Sequence, residues 1–274
     1  MYVPVVQGLT TVATNPQGYQ SPSEYGLSFE EAFVSTSDGE KIHLWLVHPR
    51  GRQRGDFVFI ECHGNAGNLG LRLPSIAGAC QHLGVSVCIF DYRGFGASSG
   101  VPSEAGLMRD LQAVHVWLLN KFSADKIILH GRSIGGSLVI QYASRSAASV
   151  NEPDAGTAGF RGLIVENTFT SIRDLIKTHF PFLRGLMEVD YLADRLLRLH
   201  WKTAEWLPHV KHPLLLVSSL NDEIVPHHHR VHLADLAQAA GVRCQLETVD
   251  AMHNDAWAVG DKYWKIHKTW LQSL

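Results

Sequence analysis

Residues 126–143 read KIILHGRSIGGSLVIQYA, and this stretch decides the fold. Its first half contains the apolar run Ile127-Ile128-Leu129, which is typical of a buried strand, and an apolar helical pattern follows Ser133 directly. Glycines stand on both sides of the serine, at 131 and 135, as a sharp turn between closely packed backbones requires. A strand, a tight turn with serine at its apex and a helix together indicate a nucleophile elbow, in which the serine hydroxyl stands exposed above a sheet.

The pattern Gly-x-Ser-x-Gly occurs twice in this chain, so the pattern alone does not identify the nucleophile. At average abundances of glycine and serine it arises by chance in about one chain in ten of this length. The second match, Gly96 to Gly100, is followed by Val101 and Pro102, and a proline there argues against a helix that begins at Ser98. Only Ser133 lies between a strand and a helix, and we predict that it is the nucleophile.

The composition indicates one large α/β domain. The chain has 274 residues, of which 45% are hydrophobic and 18% charged, with a formal net charge of −2. A chain of this kind can bury a sizeable core, and its charge balance gives no reason to expect a nucleic-acid partner. The four cysteines show no paired spacing, so we interpret them as small core residues in a reducing compartment.

The sequence as given contains no targeting signal. Met1 is followed by Tyr2, Val3 and Pro4, with neither a basic region nor a long apolar stretch, so no signal peptide is predicted. The densest apolar run, Leu214 to Val217, is far too short to cross a bilayer. We therefore expect a cytoplasmic protein.

Strands and helices alternate along most of the chain. Residues 1–27 contain three prolines and no periodicity, and they are predicted to form an extended arm. Residues 28–48 predict two strands joined by the turn Asp38-Gly39. The remaining pattern predicts a single domain over 28–274 with a mostly parallel eight-stranded sheet and helices on both faces. Further strands are predicted at 57–62, 85–90, before Ser133, and at 163–165, 214–217 and 245–249, and helices at 71–82, 104–121, after Ser133, and at 232–240 and 255–274.

Two segments depart from this alternation. Residues 145–159 are polar and are predicted to form a surface loop. Residues 167–210 are rich in apolar and aromatic side chains without strand character, which favours a small helical cap that lines an acyl pocket. Ordinary helix packing against the sheet is the alternative. Within the cap we predict Phe169, Phe180 and Met187 as substrate-binding residues, and Leu186, Tyr191, Leu192, Leu196, Trp201 and Trp206 are among its other apolar side chains.

The acid and the base are expected after the nucleophile in the chain, each following a strand. A serine hydroxyl is a poor nucleophile at neutral pH, so it needs a base, and that base needs an acid to orient it. The strand PLLLV is followed by residues 218–226, which contain Asp222, and CQLETV is followed by residues 250–255, which contain His253. We predict Asp222 as the acid and His253 as the base.

Other acids and histidines compete for these roles. Glu223, Asp250 and Glu166 are alternative acids, and most of the sixteen histidines must be bystanders. His227-His228-His229 suggests a metal site, but three adjacent residues cannot all face one ion. We interpret those three as the solvated start of a helix, and we predict no metal. His63 and His130 are predicted to have structural roles.

An oxyanion intermediate needs two preorganised hydrogen-bond donors. In this arrangement one donor is the amide of the residue after the nucleophile, Ile134, and the other comes from a loop after an earlier strand. That loop is HGNAG at 63–67, in which we predict the Asn65 amide as donor, with Ala66 as the alternative. The loop lacks the glycine spacing of nucleotide-binding motifs, so no cofactor is predicted.

Six motifs together resemble one branch of the α/β-hydrolase superfamily, the bud-emergence-like and abhydrolase-domain serine hydrolases. The resemblance extends from about residue 25 to the end and implies the α/β-hydrolase fold, with Ser133, Asp222 and His253 as the triad. Some members of this branch are protein depalmitoylases, and relatives often carry an N-terminal membrane anchor that this sequence as given lacks. The motifs are HGNAGN (63–68), DYRGFGASSG (91–100), HGRSIGG (130–136), ENTFTSI (166–172), SLNDEIVP (219–226) and MHND (252–255).

These observations predict a serine hydrolase that cleaves carboxylic esters or thioesters through an acyl-enzyme. The expected partner is a small-molecule ester or acyl-thioester, or an acylated protein, and not a nucleic acid. A catalytically silent scaffold with a hydrolase fold and a serine peptidase are the alternatives. Neither membrane association nor oligomeric state is indicated by any motif.

Overall fold

A computed structural model describes residues 2–146, 159–189, 197 and 199–274. Its eight strands form one sheet in the order β1-β2-β4-β3-β5-β6-β7-β8. The pairs β1/β2 and β2/β4 are antiparallel, and all the other pairs are parallel. The strands are β1 (Ser28–Ser35), β2 (Lys41–His48), β3 (Val58–Cys62), β4 (Ser86–Phe90), β5 (Ile127–Arg132), β6 (Gly162–Glu166), β7 (Leu214–Ser219) and β8 (Cys244–Val249).

Helices cover both faces of this sheet. One face packs against α1 and α8, and the other against α2, α3 and α7. Successive residues of β3 alternate between the two cores, with Phe59 on one side and Val58 and Ile60 on the other, as the pleat of a strand requires. The helices are α1 (Leu73–Leu83), α2 (Glu104–Leu119), α3 (Ile134–Ser146), α4 (Ile172–His179), α5 (Arg184–Glu188), α6 (Thr203–Trp206), α7 (His227–Ala239) and α8 (Asp261–Gln272).

The predicted mostly parallel sheet is confirmed, and each of its eight strands lies where the pattern placed it. Two helix boundaries were wrong. Helix α7 begins at His227, as the interpretation of the triple histidine indicated, and not at 232, where the apolar pattern placed it. The closing helix begins at Asp261 rather than at 255, since Gly260 has a φ of 88° and separates it from a short 3-10 turn at Ala256–Ala258.

Residues 2–27 lie against the body of the protein. They contain two 3-10 turns, Val12–Thr14 and Pro22–Tyr25. Near its start the segment forms a parallel β-bridge between Val3 and Ala66. The Val3 amide donates to the carbonyl of Asn65 at 3.1 Å, and the Gly67 amide donates to the carbonyl of Val3 at 3.0 Å. The start of the segment is therefore hydrogen-bonded to the loop that follows β3.

The region between β6 and β7 is helical where the structure describes it. Helices α4 and α5 are joined by a 3-10 turn at Pro181–Leu183, and α6 leads toward β7. Three apolar residues of the predicted cap lie outside the described residues: Tyr191, Leu192 and Leu196. Residues 147–158, which make up most of the predicted polar loop, also lie outside them. Helix α3 extends through Ser146 before that loop. In the part of the chain that is described, no helix has the length and apolar character needed to cross a membrane.

Candidate active site

The backbone at Ser133 makes the sharp turn that the sequence predicts. Ser133 has a φ of 56° and stands between β5 and α3, a left-handed conformation that costs a residue with a side chain about 1–2 kcal/mol. Two hydrogen bonds hold it there. The Ser133 amide donates to the carbonyl of Glu166 at 2.8 Å, and the Thr168 hydroxyl donates to the carbonyl of Ser133 at 2.8 Å.

The flanking glycines allow the elbow to approach its neighbours closely. A Cβ on Gly135 would lie 1.9 Å from the carbonyl oxygen of Cys62, and one on Gly131 would lie 2.3 Å from that of Gly135. Both distances are far shorter than any van der Waals contact. A Cβ on Gly64 would lie 3.9 Å from the Cβ of Ser133. The elbow is therefore packed directly against the loop that follows β3.

Asp222 and His253 lie together at the carboxyl edge of the sheet. Asp222 is in the loop after β7, and His253 is in the loop after β8. His253 Nδ1 lies 2.7 Å from Asp222 Oδ2 and 2.9 Å from Oδ1, and both side chains are buried. The amides of Ile224 and Val225 donate to Asp222 Oδ1 at 2.9 and 2.7 Å. The carboxylate thus fixes Nδ1 and leaves Nε2 as the nitrogen that can exchange a proton.

The alternative acids make other contacts. Glu223 accepts the backbone amide of His253 at 3.0 Å, so it supports the same loop without contacting the imidazole. Asp250 Oδ1 accepts from the side-chain Nδ2 of Asn221 at 2.6 Å. Glu166 belongs to a separate ion-pair network. Ser98, the other serine in a matching pattern, is buried, donates to the carbonyl of Asp91 at 2.7 Å and accepts from the amide of His43 at 2.9 Å.

The loop after β3 is held from several sides. The Tyr92 hydroxyl donates to the carbonyl of His63 at 2.8 Å, and His63 Nδ1 donates to the carbonyl of Gly64 at 2.7 Å. Burial, together with the nearby Arg72, lowers the pKa of His63 to about 3, so its imidazole is neutral. The Ala66 amide donates to the carbonyl of Gly64 at 2.9 Å, so this alternative oxyanion donor already has an acceptor. Ile134 is the first residue of α3, where amides have no intrahelical acceptor.

Asn167 connects the end of β7, which leads to Asp222, with the loop of His253, and the sequence did not predict this role. It directly follows β6, is 4% exposed and has a left-handed φ of 47°. Its Nδ2 donates to the carbonyl of His253 and to the hydroxyl of Ser219, both at 2.9 Å, and its Oδ1 accepts from the amide of Ser219 at 2.8 Å. An asparagine two residues after the predicted strand at 163–165, inside ENTFTSI, was the available signal.

A buried ion-pair network, which we call the elbow network, lies beneath the site. It comprises Glu61, His130, Arg132, Glu166, Tyr263 and His267. His130 Nδ1 contacts Glu61, His130 Nε2 lies 3.1 Å from Glu166 Oε1, and Arg132 Nη2 lies 3.0 Å from Glu166 Oε2. The hydroxyl of Tyr263 donates a hydrogen bond to the carboxylate of Glu166, and His267 Nε2 lies 3.2 Å from the same carboxylate.

The charges within the elbow network stabilise one another. Burial opposes the charged form of His130, but Glu61 and Glu166 outweigh burial and raise its pKa to about 10. Burial also opposes the charge of Glu166, but Arg132 and His130 hold its pKa well below the usual range. The ligand atoms of His130, Glu166 and His267 lie within 4.8 Å of one another, which makes them a possible metal site among the described residues. Because Glu166 is already paired with Arg132, we interpret the network as structural.

The predicted substrate-binding residues occupy three different environments. Phe169 is 2% exposed and belongs to the core that contains α3. Met187 is buried, and its carbonyl accepts from Arg173. Phe180 is 48% exposed and packs edge-on against Phe182, with ring centroids 6.0 Å apart. Two of the three side chains are therefore buried, and one is about half exposed.

The triple histidine at 227–229 does begin a helix, but it is not solvated throughout. His227 and His228 are exposed, whereas His229 is fully buried. The Nδ1 of His229 lies 2.8 Å from the hydroxyl of Thr170, and burial lowers the pKa of His229 to about 4. Its position on the inward face of α7 explains the difference, since neighbouring residues on a helix point in different directions.

Comparisons with known proteins agree with this architecture. Residues 58–154 match a family model described as the alpha/beta hydrolase fold. The chain is 33% identical to the alpha/beta hydrolase domain-containing protein WAV2 of Arabidopsis thaliana, over 99% of this chain and 86% of the relative. It is 31% identical to the protein bem46 of Schizosaccharomyces pombe, over 92% and 80%. The solved structure of the Pyrococcus furiosus esterase Pf2001 is similar in fold, with a TM-score of 0.70 at 18% identity over 92% and 94% of the two chains.

Proposed function

The chain belongs to the α/β-hydrolase family, and from this premise we propose that it is a serine hydrolase that cleaves carboxylic esters or thioesters. One observation carries the proposal. A serine held in a left-handed turn stands at the same sheet edge as a buried histidine whose Nδ1 lies 2.7 Å from a carboxylate. A strained residue persists where its surroundings determine its conformation, and such positions cluster at active sites.

The proposed reaction has two halves. Ser133 Oγ attacks the acyl carbon while its proton passes to Nε2 of His253. The resulting oxyanion accepts hydrogen bonds from the amides of Asn65 and Ile134, each worth a few kcal/mol of barrier. When the tetrahedral intermediate collapses, the bond to the leaving oxygen or sulfur breaks, and His253 returns the proton to that atom. Water then repeats the sequence on the acyl-enzyme and releases the carboxylic acid.

Asp222 and His253 have different roles in the proposed reaction. Asp222 holds the imidazole with Nε2 toward the nucleophile and stabilises the imidazolium that forms. Because Asp222 also accepts two backbone amides, its negative charge stays in place while the proton moves between Ser133 and His253. Activity should therefore fall at low pH, when a charged His253 can no longer accept the proton.

The class of substrate is also a proposal. The part of the chain between β6 and β7 carries both buried and exposed apolar side chains, including Met187 and Phe180. We propose that this region contacts the acyl chain, and that protein-bound acyl thioesters are among the substrates. Hydrolysis of aryl esters and acyl thioesters of graded chain length by wild type and by Phe180→Ala tests this, because loss of an acyl contact raises KM most for the longest chains.

The decisive experiment compares wild type with Ser133→Ala. Wild type should hydrolyse the ester panel and should be labelled at Ser133 by a fluorophosphonate, whereas the variant should do neither. Ser98→Ala is the matched control and should keep both properties if it folds. Equal rates for wild type and Ser133→Ala would contradict the proposal.

The two alternative functions predict different results. A catalytically silent scaffold would fold normally but leave Ser133 unlabelled. A serine peptidase would cleave a peptide panel at rates comparable with those for esters. The pairing of His253 with Asp222 supports an active enzyme over a scaffold, since binding alone does not require an oriented imidazole.

A further inference from the structure

The side chain of Asn167 joins two segments that contribute to the proposed reaction. Its Nδ2 donates to the backbone carbonyl of His253 at 2.9 Å. The same side chain makes two hydrogen bonds with Ser219, the last residue of β7. It donates to the Ser219 hydroxyl at 2.9 Å and accepts from the Ser219 backbone amide at 2.8 Å. Ser219 lies three residues before Asp222. The buried side chain of Asn167 thus links Ser219, which precedes the acid, to the main chain of His253, the base.

The backbone beside Asn167 is bonded to the nucleophile. The carbonyl of Glu166 accepts from the amide of Ser133, and the hydroxyl of Thr168 donates to the carbonyl of Ser133, both at 2.8 Å. The Asn167 amide itself donates to the carbonyl of Val217 at 3.1 Å. Residues 166–168 therefore form the direct connection between the elbow and the loops that carry the acid and the base.

We propose that Asn167 is a positioning residue for the reaction, which sets the location of His253 relative to Ser133 through these hydrogen bonds. This inference rests on the proposed serine hydrolase function. Asn167 does not contact the reacting atoms; it acts through the main chain of His253. Asparagine suits the position because it tolerates a left-handed backbone and because its amide provides both donor hydrogens and an acceptor.

The physical basis is the sensitivity of proton transfer and nucleophilic attack to geometry. A misplacement of about 1 Å in a catalytic group can reduce the rate about 100-fold. Among the described residues, the other bonds that tie this loop to the rest of the chain come from the segment of the acid: Glu223 accepts the backbone amide of His253 at 3.0 Å, Asp222 holds its side chain, and Asn221 donates to Asp250 and to the carbonyl of Ala251. Removal of the Asn167 amide leaves the loop attached to the acid but no longer to the strand beside the nucleophile.

Two substitutions test the proposal. Asn167→Asp keeps the shape and the acceptor for Ser219 but removes both donor hydrogens, and Asn167→Gly keeps the left-handed backbone but removes the whole side chain. Both should lower kcat on a short aryl ester by about 30- to 100-fold, with KM changed less than about threefold, because binding of the substrate is not involved. Fluorophosphonate labelling of Ser133 should slow by a similar factor.

The pH profile separates positioning from a general loss of stability. The new carboxylate of Asn167→Asp stabilises a protonated imidazole nearby, so the acidic limb of kcat/KM should move to higher pH. The acidic limb of Asn167→Gly should stay close to that of wild type. Asp110→Asn is the matched control: Asp110 is buried and paired with Arg93 at 2.8 Å, and its substitution should lower the melting temperature without slowing labelling of Ser133.

Each outcome decides between positioning and bulk stability. Wild-type kcat and labelling rates in both Asn167 variants would overturn the inference, and so would losses that match those of Asp110→Asn at equal loss of stability. If neither Asn167 variant folds, Asn167→Ser is measured instead, because it removes the Nδ2 group that donates to the carbonyl of His253, and a wild-type kcat in that variant would overturn the inference. Full activity of Ser133→Ala would instead refute the proposed function itself.

Discussion

Two buried acid–histidine clusters lie near the carboxyl edge of the sheet, and they differ in how many ring nitrogens face a carboxylate. In the elbow network, His130 contacts Glu61 through Nδ1, and its Nε2 lies 3.1 Å from Glu166 Oε1, so both nitrogens face buried carboxylates. In the second cluster, Asp222 contacts only Nδ1 of His253. A candidate base is therefore recognised by a ring nitrogen that faces no carboxylate of the protein, and not by burial or by proximity to a carboxylate alone.

The largest effect on kcat is expected from His253→Ala, which removes the histidine of the second cluster. Without a base at Ser133, kcat should fall about 10⁶-fold, while the melting temperature should change little, because Asp222 keeps two backbone donors. Steady-state hydrolysis of an aryl ester and thermal unfolding provide the two measurements. A loss of less than tenfold would show that another group serves as the base.

A smaller loss is expected from Asp222→Asn, which tests how the carboxylate orients the imidazole. An asparagine amide at that position favours the wrong tautomer, so kcat should fall about 10⁴-fold with KM nearly unchanged. Glu223→Gln is the control, because Glu223 contacts the same loop through the backbone of His253 only. Equal losses in the two variants would contradict the assignment of Asp222 as the acid.

The third effect concerns stability rather than rate. His130→Gln leaves Glu61 and Glu166 buried without their shared cation, which should lower the free energy of unfolding by about 3 kcal/mol. The turnover of the folded fraction should stay within about threefold of wild type, since His130 is not expected to contact substrate. Urea denaturation measures the first quantity, and His228→Gln, at an exposed position, provides the control. A loss of activity that exceeds the loss of stability would assign His130 to the catalytic machinery.

The smallest effect is a slope of stability with pH. Because the pKa of His130 in the folded protein is raised to about 10, above the value of about 6.5 for an unperturbed histidine, its contribution is complete below pH 6.5 and is lost as the pH rises toward 10. The slope from this one group cannot exceed about 1.4 kcal/mol per pH unit. When the free energy of unfolding is measured by urea denaturation at pH 7, 8 and 9, it should depend less steeply on pH in His130→Gln than in wild type.

The sequence was most informative where local chemistry decides structure. Periodicity located all eight strands, and the glycines around Ser133 indicated a turn that the structure contains. The Asp222–His253 contact followed from chain order and strand ends, because parallel strands bring their carboxyl ends to one edge of a sheet. These predictions needed no knowledge of which side chains meet across the core.

The features that sequence reasoning missed depend on contacts between distant residues. Asn167 bonds to His253, which lies 86 residues away, and Glu166 contacts His267, which lies 101 residues away. No local pattern distinguishes such residues from ordinary polar groups at a strand end. The burial of His229 was missed for a similar reason: the partner that occupies its inward face, Thr170, belongs to another part of the chain.

The β-bridge between Val3 and the loop after β3 provides a natural reporter of motion at the site. The Gly67 amide proton, which is bonded to the Val3 carbonyl, can exchange with deuterated solvent only while that bond is open. Its exchange rate therefore measures the fraction of time that the N-terminal segment is detached. Since Gly67 lies two residues after Asn65, hydrogen–deuterium exchange of this single amide would show whether a bound inhibitor tightens the loop.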